Sequence, residues 1–300
     1  MDAMVELAQN YVNDYRSTHQ LSLDQIPYVE PTGKTGWPVM RGLTRVLQHL
    51  LGITKLADGF GPETLARLTS QYPVVTNSAP QDICKVLQSA LYCKGYDGGG
   101  IDGILGPAVD GAVASARSNM GLTSTGGVVP KVFKALLNMD AYVVVNGGNP
   151  QMRSFQQWLN GRYFNRRDFF IGPCDGWFSR DVQKSLLMAI QFEIGLSDDQ
   201  AIGAFGPATQ AGLKNHTVQV GTSGVWAQFF TGLLVANRRQ GATYSTTFTS
   251  SHSSVVSDFQ EFALLPVTGK GDYQTWASLL VSKGDDTRIG TACDTSTPLT

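Results

Sequence analysis

Apolar side chains recur at helical spacing along most of this chain, and turns rich in glycine or proline interrupt them. One clear stripe consists of Ile83, Val86, Leu87, Ala90 and Leu91. Such spacing places the apolar side chains on one face of a helix, and it predicts an amphipathic helix that packs against a core.

The residues that follow this stripe predict two more helices. Gly95 ends the first helix, and Asp102 is placed to form an Asx turn with nearby backbone N–H groups. Pro107 suits the first turn of a second helix, where its missing N–H costs nothing. Gly121 can end that helix in a left-handed conformation, and Pro130 begins a third. Residues 83–138 therefore predict three short helices separated by two glycine-rich turns.

The order of motifs in residues 83–138 resembles the peptidoglycan-binding domain of bacterial cell-wall hydrolases, a three-helix module. The matching motifs are Leu87-Gln88, Leu91, Gly95-Tyr96, Asp102-Gly103, Leu105-Gly106-Pro107, Gly121-Leu122 and Val132-Phe133 with Leu136. The resemblance implies an all-α fold and a peptidoglycan partner, either its glycan or its stem peptide.

Related motifs recur before and after this segment. Leu47-Gln48 with Leu51 and the Asp58–Pro62 turn indicate a shorter copy before it. Phe155-Gln156 and the Asp175–Phe178 turn indicate a further copy after it. A fourth copy is more degraded.

In the fourth copy, Val225, Phe229 and Leu233 mark the first helix, and Phe230 stands where glutamine is expected. Its Gly269–Trp276 segment resembles the start of the family's third helix.

These repeats predict tandem three-helix bundles joined by short linkers. The predicted division is 1–77, 78–145, 146–220 and 221–284, followed by a linker or the start of another domain at 285–300. We call the first four segments predicted copies one to four, and we expect each to have mainly its own core.

An additional helix is predicted at residues 3–18. Its apolar stripe consists of Met4, Leu7, Ala8, Tyr11, Val12 and Tyr15. Predicted copy one lacks a third helix before Pro73, so we hypothesise that this N-terminal helix takes that place.

Composition narrows the function. The 300 residues are 42% hydrophobic, and 23 basic residues nearly balance 24 acidic ones, so the electrostatic footprint of a nucleic-acid binder is missing. No apolar run reaches the roughly 18 residues of a membrane span. The N-terminus lacks the pattern of a signal peptide, although the resemblance implies an extracellular or cell-wall location.

The sequence shows no catalytic constellation and predicts no cofactor. The histidines, His19, His49, His216 and His252, lack metal-ligand spacing, so no metal site is expected. Asp58, Asp102 and Asp175 belong to turns.

The last ten residues are similar to the opening of a glycoside-hydrolase-like barrel that follows such repeats in some actinobacterial proteins. A frayed tail fits them equally well. Asp294 is a catalytic candidate only if that barrel is present.

By resemblance, ligand is expected in a shallow groove near the Gly-Tyr and Asp-Gly turns. The candidate binding residues are Tyr96, Asp102, Gly103 and Ile104 in predicted copy two, and Tyr163, Phe164, Asp175 and Trp177 in predicted copy three. The alternative is that the rings fill the core and the aspartates brace their turns. Trp177 is the strongest candidate, because packing alone does not explain a tryptophan in a polar, glycine-rich turn.

Three functions fit these observations. The first is a cell-wall targeting array, the non-catalytic part of a hydrolase, whose weak sites gain avidity by linkage. The second is the N-terminal portion of a lysozyme-type enzyme whose catalytic barrel follows residue 300. The third is a helical interaction scaffold that has lost its ligand.

Overall fold

The computed structural model describes residues 2–281, which form twelve α-helices and no extended strand beyond isolated bridges, so the predicted all-α class is confirmed. The helices are α1 (Ala3–Thr18), α2 (Trp37–Leu50), α3 (Pro62–Gln71), α4 (Gln81–Cys93), α5 (Pro107–Asn119), α6 (Pro130–Leu136), α7 (Pro150–Tyr163), α8 (Arg180–Glu193), α9 (Pro207–Leu213), α10 (Val225–Ala236), α11 (Ser250–Phe262) and α12 (Tyr273–Leu280). The predicted segment 285–300, with Asp294, lies outside the described residues.

Proline and glycine set the helix boundaries as the sequence predicts. Pro107 and Pro130 are the first residues of α5 and α6, where the ring fixes a helical φ and no N–H bond is lost. Gly95 and Gly121 follow the ends of α4 and α5 with φ of 80° and 82°. Glycine adopts this left-handed conformation without a Cβ clash, so each helix can stop there.

Contacts divide the chain into two compact units, Met1–Asp140 and Ala141–Thr300. Each unit covers about two of the predicted copies, although the first unit ends at Asp140, before the predicted end of copy two at 145. The boundaries between copies within a unit remain a prediction.

In the first unit, α1 packs on both α2 and α4. Its buried face includes Val5, Ala8, Val12 and Tyr15. Leu7 was expected on this face, but it is 51% exposed, and Val5 is buried instead. Helix α1 therefore contacts the first helices of both predicted copies, and its place as a third helix of copy one remains a prediction.

The approach of α1 to α2 depends on Gly42. A Cβ at this position would lie 2.8 Å from Cγ1 of Val12, closer than real side chains pack. The two helices therefore meet at a distance that only glycine allows.

The two predicted copies of the first unit are also joined at their ends. Helix α3 packs on α6, and Val75 and Val128 form an antiparallel bridge just before α4 and α6 begin. The Val75 N–H donates to the Val128 carbonyl at 3.0 Å.

The second unit has one continuous hydrophobic core. Its buried side chains run from Met152 in α7 to Leu280 in α12, and so belong to both predicted copies. Gly232 of α10 lies against the Phe155 ring of α7, where an added Cβ would be 2.5 Å from the ring. The expectation that each copy has mainly its own core is wrong here, because α7 and α10 are packed face to face.

Cys84 and Cys93 both lie in α4 as buried thiols. Nine positions along one helix separate their Cα atoms by about 13 Å, which is too far for a disulfide. Burial raises the pKa of the Cys93 thiol to about 12.

Candidate functional site

A buried glutamine holds the Asp-Gly turn of predicted copy two. Gln88 of α4 is 1% exposed. Its Nε2 donates to Oδ1 of Asp102 at 2.8 Å and to the Ile104 carbonyl at 3.1 Å. Its Oε1 accepts from the Gly103 N–H at 2.7 Å. We call this arrangement a glutamine clamp; it pairs a buried side-chain amide with the turn on both its donor and acceptor sides.

The clamped turn needs both its aspartate and its glycine. Oδ1 of Asp102 also accepts from the Ile104 N–H at 2.9 Å, which confirms the predicted Asx turn. The hydrogen bonds from Gln88 and from this amide hold the pKa of Asp102 below its usual value. Gly103 has φ of 80°, and a Cβ there would lie 2.8 Å from the Gln81 carbonyl.

The same geometry recurs in predicted copy three. Nε2 of Gln156 donates to Oδ1 of Asp175 at 3.0 Å and to the Trp177 carbonyl at 2.8 Å. Its Oε1 accepts from the Gly176 N–H at 2.9 Å. In predicted copy one, Gln48 makes fewer bonds of this kind: its Oε1 accepts from the Ala57 N–H, and its Nε2 donates to the Gly59 carbonyl.

The sequence analysis did not predict a second series of clamps, in which the glutamine lies on the next helix along the chain. Gln191 of α8 bonds the Gly203 N–H and the Ala204 carbonyl, at 2.8 and 2.9 Å. Gln260 of α11 bonds the Gly269 N–H and the Lys270 carbonyl in the same way, both at 2.9 Å. The sequence does contain a signal for these clamps, because Ile190-Gln191 and Phe259-Gln260 repeat the apolar-Gln pair of Leu87-Gln88.

Predicted copy two uses arginine for this second clamp. Arg117 is 3% exposed and lies near the end of α5. Its guanidinium donates to the carbonyls of Thr123 and Gly127, at 2.8 and 3.0 Å. A longer side chain thus holds the loop that leads into α6.

In predicted copy four, Thr231 occupies the position of the first clamp. Its hydroxyl donates to the Ser245 carbonyl at 2.9 Å and accepts from the Ser245 N–H at 3.1 Å. The alignment of Phe230 with glutamine was therefore wrong by one residue. Phe230 is fully buried against Trp276 and corresponds to the apolar partner in the pair Phe155-Gln156.

A groove of about 440 Å³ lies beside the Gly-Tyr turn of predicted copy two. We call it the α5 groove; its walls include Gly95, Tyr96, Asp97, Pro107, Gly111 and Ser115. The small side chains on α5 allow a ligand to approach the helix closely. Asp97 is exposed at its edge, and the hydrogen bond from the Tyr92 hydroxyl, with a further one from the Gly99 N–H, lowers the pKa of its carboxyl.

The candidate residues of copy two separate into two groups. Tyr96 lines the α5 groove, half-buried, and its hydroxyl accepts from Nδ2 of Asn119 at 3.1 Å. Asp102, Gly103 and Ile104 belong to the clamped turn and do not line the groove. Of these three, Gly103 is buried and Ile104 is 61% exposed.

The candidate residues of copy three lie mostly in the core. Tyr163 is 4% exposed, and its ring stacks on Phe192 and Phe229. Its hydroxyl donates to Oε1 of Glu193 at 2.7 Å. Phe164 is half-buried at the end of α7, and Asp175 is half-buried within its clamped turn.

Trp177 is also packed rather than open. It is 8% exposed, and a Cβ on Gly147 would lie 2.7 Å from its Cζ2. The guanidinium of Arg238 lies 4.5 Å from the centre of its ring. The ring therefore supports an arginine on one of its faces, an arrangement the sequence did not indicate.

Residues 2–281 lack two further kinds of feature, a metal-binding cluster and a membrane-spanning helix. In that range, three or more histidine, cysteine or acidic side chains do not come together as they would to hold a metal ion. None of the helices there has the length and apolar character needed to cross a membrane.

Comparison with protein families supports the motif-based resemblance. Residues 81–136 match the family described as "Putative peptidoglycan binding domain". Residues 145–280 match the family described as "FadG/YbfG, PGDB-like domain". The first unit therefore contains a segment similar to the peptidoglycan-binding domain family, and a segment similar to the FadG/YbfG family makes up most of the second unit.

Two relatives come from Bacillus subtilis (strain 168). The chain is 46% identical over 304 residues to "Uncharacterized protein FadG" and 37% identical over 309 residues to "Uncharacterized protein YbfG". Both alignments cover 100% of this chain, but they cover 52% and 40% of the two relatives, so the chain spans about half of their length or less. No solved structure matches the chain.

Proposed function

We propose that the chain binds peptidoglycan through the α5 groove and serves as a cell-wall targeting array. The observation that carries this proposal is the position of the groove, which lies entirely within the residues matched to the peptidoglycan-binding family. Its tyrosine ring, exposed carboxylate and small helix residues suit a ligand that offers sugar faces, hydroxyl groups and amides.

The glutamine clamps support the groove without forming it. Gln88 fixes the turn that leads into α5, and the Leu105 N–H and carbonyl bond the side chain of Asn77 at 2.7 and 2.9 Å. The start of α5 is thereby held in place. The ligand surface is then presented by a rigid helix, which reduces the entropy lost on binding.

Gly111 offers a clean test, because it lines the groove and a Cβ there would meet nothing within 4 Å. We expect Gly111→Gln to fill the groove and sharply reduce sedimentation of the chain with insoluble peptidoglycan. The same change should stabilise the fold by about 0.5–1 kcal/mol, because glycine is a poor helix former. Equilibrium urea unfolding measures the second effect.

The control is Ser70→Gln, which adds the same side chain at an exposed position of α3 in the same unit. It should leave sedimentation unchanged. Unaltered binding by Gly111→Gln would move the ligand away from the α5 groove, and wild-type protein left wholly in the supernatant would refute the proposal itself.

We further propose that the array acts outside the cell, in the wall, as the non-catalytic part of a hydrolase. The resemblance supports this finer proposal. This finer proposal predicts that the 300 residues alone do not clear a cell-wall suspension. It also predicts that a longer protein that contains them does clear it. Clearing by the 300 residues themselves would contradict it.

A further inference from the structure

The α5 groove carries a negative charge that no positive charge balances among its described lining residues. Asp97 is acidic, and the other walls are formed by glycine, alanine, proline, serine and the ring of Tyr96. Charge complementarity therefore favours a ligand group with a positive charge in this groove. An aromatic ring is a second kind of group that attracts cations.

The Asp97 carboxylate is held in a fixed position. Its Oδ1 accepts from the Tyr92 hydroxyl at 2.6 Å and from the Gly99 N–H at 2.9 Å. The Tyr92 oxygen accepts in turn from the Gly100 N–H at 2.8 Å. These hydrogen bonds join the carboxylate to α4 and to the loop after it, so little conformational entropy is lost when a ligand binds there.

The loop that carries these donors packs closely on α5. Gly99 has φ of 78°, and a Cβ there would lie 2.8 Å from Cβ of Ala108 in the first turn of α5. A Cβ on Gly98 would lie 3.7 Å from Cγ2 of Val109. This packing sets the distance between the Asp97 loop and the wall that α5 contributes to the groove.

The charge of Asp97 is not neutralised by the described part of the chain. Both hydrogen bonds to its carboxylate go to Oδ1, and Oδ2 accepts none from residues 2–281. Within the same range, no basic side chain forms an ion pair with it. The pKa of Asp97 is lowered chiefly by the hydrogen bond from Tyr92, so the side chain is ionised at neutral pH. An exposed, ionised carboxylate can therefore form a charge-assisted hydrogen bond with a ligand.

We propose that the α5 groove recognises a primary ammonium group, which the carboxylate of Asp97 binds. This inference rests on the proposed function, and it means that the groove prefers peptidoglycan in which amino groups are free. Such groups occur on the diamino acid of stem peptides that are not cross-linked, because cross-linking converts the amine into an amide. They also occur on wall sugars that have lost their acetyl groups. Asp97 is thereby the residue that determines specificity.

Chemical acetylation of the wall tests this preference. Sedimentation of the full 300-residue chain is measured with insoluble peptidoglycan before and after treatment with acetic anhydride, which converts amines into neutral amides. We expect acetylation to raise the apparent Kd about tenfold, because a charge-assisted hydrogen bond is replaced by a neutral one. Equal binding to both walls would overturn the inference.

Variants assign the preference to Asp97. Asp97→Asn should weaken binding to the untreated wall about tenfold and should remove the difference between the two walls. Asparagine keeps an oxygen that can accept from Tyr92 and Gly99, so the loop should keep its conformation.

Asp110→Asn is the matched control, because it removes the same charge from an exposed position of α5 that does not line the groove. It should respond to acetylation as the wild type does. A preference for the untreated wall that survives in Asp97→Asn, or that Asp110→Asn loses equally, would overturn the assignment.

Soluble probes identify the source of the amine. Isothermal calorimetry compares N-acetyl-L-alanyl-γ-D-glutamyl-L-lysine with the same peptide acetylated on its lysine side chain. It also compares a tetramer of glucosamine with a tetramer of N-acetylglucosamine. A preference for the lysine amine assigns the ammonium group to the stem peptide, and a preference for glucosamine assigns it to the glycan. Equal binding within both pairs would overturn the inference.

These results separate the inference from the proposed function. If the chain sediments equally with both walls and Gly111→Gln abolishes sedimentation, the ammonium site fails and the proposed function stands. If the chain stays in the supernatant but binds an amine probe through Asp97, the ammonium site stands and the proposed function fails.

Discussion

The turns Asp102–Ile104 and Asp175–Trp177 make the same hydrogen bonds with a buried glutamine side chain, but they differ in how exposed they are. In each, a buried glutamine bonds the aspartate, the glycine N–H and the next carbonyl. The residue after the glycine is 61% exposed in the first turn and 8% exposed in the second. The clamp is therefore a framework, and the side chains around it decide which surface each turn offers.

The largest effect should come from deleting the side chain after the glycine. Trp177→Ala removes a buried ring and its contact with Arg238, so we expect it to lower the free energy of unfolding by about 3–5 kcal/mol. Ile104→Ala changes an exposed side chain, and its cost should stay below about 0.5 kcal/mol. Urea denaturation of both variants measures the difference, and comparable losses would show that exposure does not distinguish these turns.

Replacing the glycine of each turn with alanine should also lower the free energy of unfolding by different amounts, but the difference should be smaller. A Cβ on Gly176 would lie within 3.0 Å of three backbone atoms, including the Asn149 nitrogen at 2.6 Å. A Cβ on Gly103 would meet one backbone atom, the Gln81 carbonyl oxygen at 2.8 Å, and otherwise the Gln81 side chain. We therefore expect Gly176→Ala to cost about 3 kcal/mol and Gly103→Ala about 2 kcal/mol in urea unfolding.

Gly95 supplies the control for that comparison. It has φ of 80°, and a Cβ there would meet nothing within 4 Å. Gly95→Ala should therefore show only the backbone cost, about 1 kcal/mol. A loss for Gly95→Ala as large as that for Gly176→Ala would mean that φ alone, and not crowding, sets the penalty.

The smallest effect concerns pH and the copy-two turn. The pKa of Asp102 is lower in the folded chain than in the unfolded one, chiefly because of the hydrogen bond from Gln88. The resulting stability is present above the unfolded pKa of about 3.9 and is lost as pH falls through the folded pKa.

Asp102→Asn should therefore lower the free energy of unfolding slightly at pH 7, and the gap from wild type should close as the pH falls through the folded pKa of Asp102. Denaturant midpoints across this range provide the measurement. Asp110→Asn, an exposed carboxylate on α5, is the control. A gap that is constant with pH would show that ionisation of Asp102 does not stabilise the turn.

The sequence predicted the features that depend on local backbone chemistry. The fold class, the starts of α5 and α6, the Gly95 and Gly121 helix ends and the Asp102 turn all follow from neighbouring residues. The sequence could not assign burial, which depends on distant partners: Leu7 is exposed because α2 and α4 meet the Val5 face of α1.

The candidate site shows the same division. The motif placed Tyr96 beside a groove, because a Gly-Tyr turn and the following helix are close in sequence. It did not place Trp177 beneath Arg238, since those residues are 61 positions apart and meet only through the packing of the second unit. The apolar-Gln pairs that contain Gln191 and Gln260 are enough to predict these two clamps, but only after the structure has shown which bonds Gln88 makes.

The thiols of α4 bear on the environment in which this protein can work. At neutral pH, Cys93 is almost entirely protonated, because its pKa is about 12, and only a thiolate reacts readily with peroxide or with a disulfide. The helix that carries Gln88 should therefore resist oxidative damage. Its integrity should therefore not depend on whether the surroundings are reducing or oxidising.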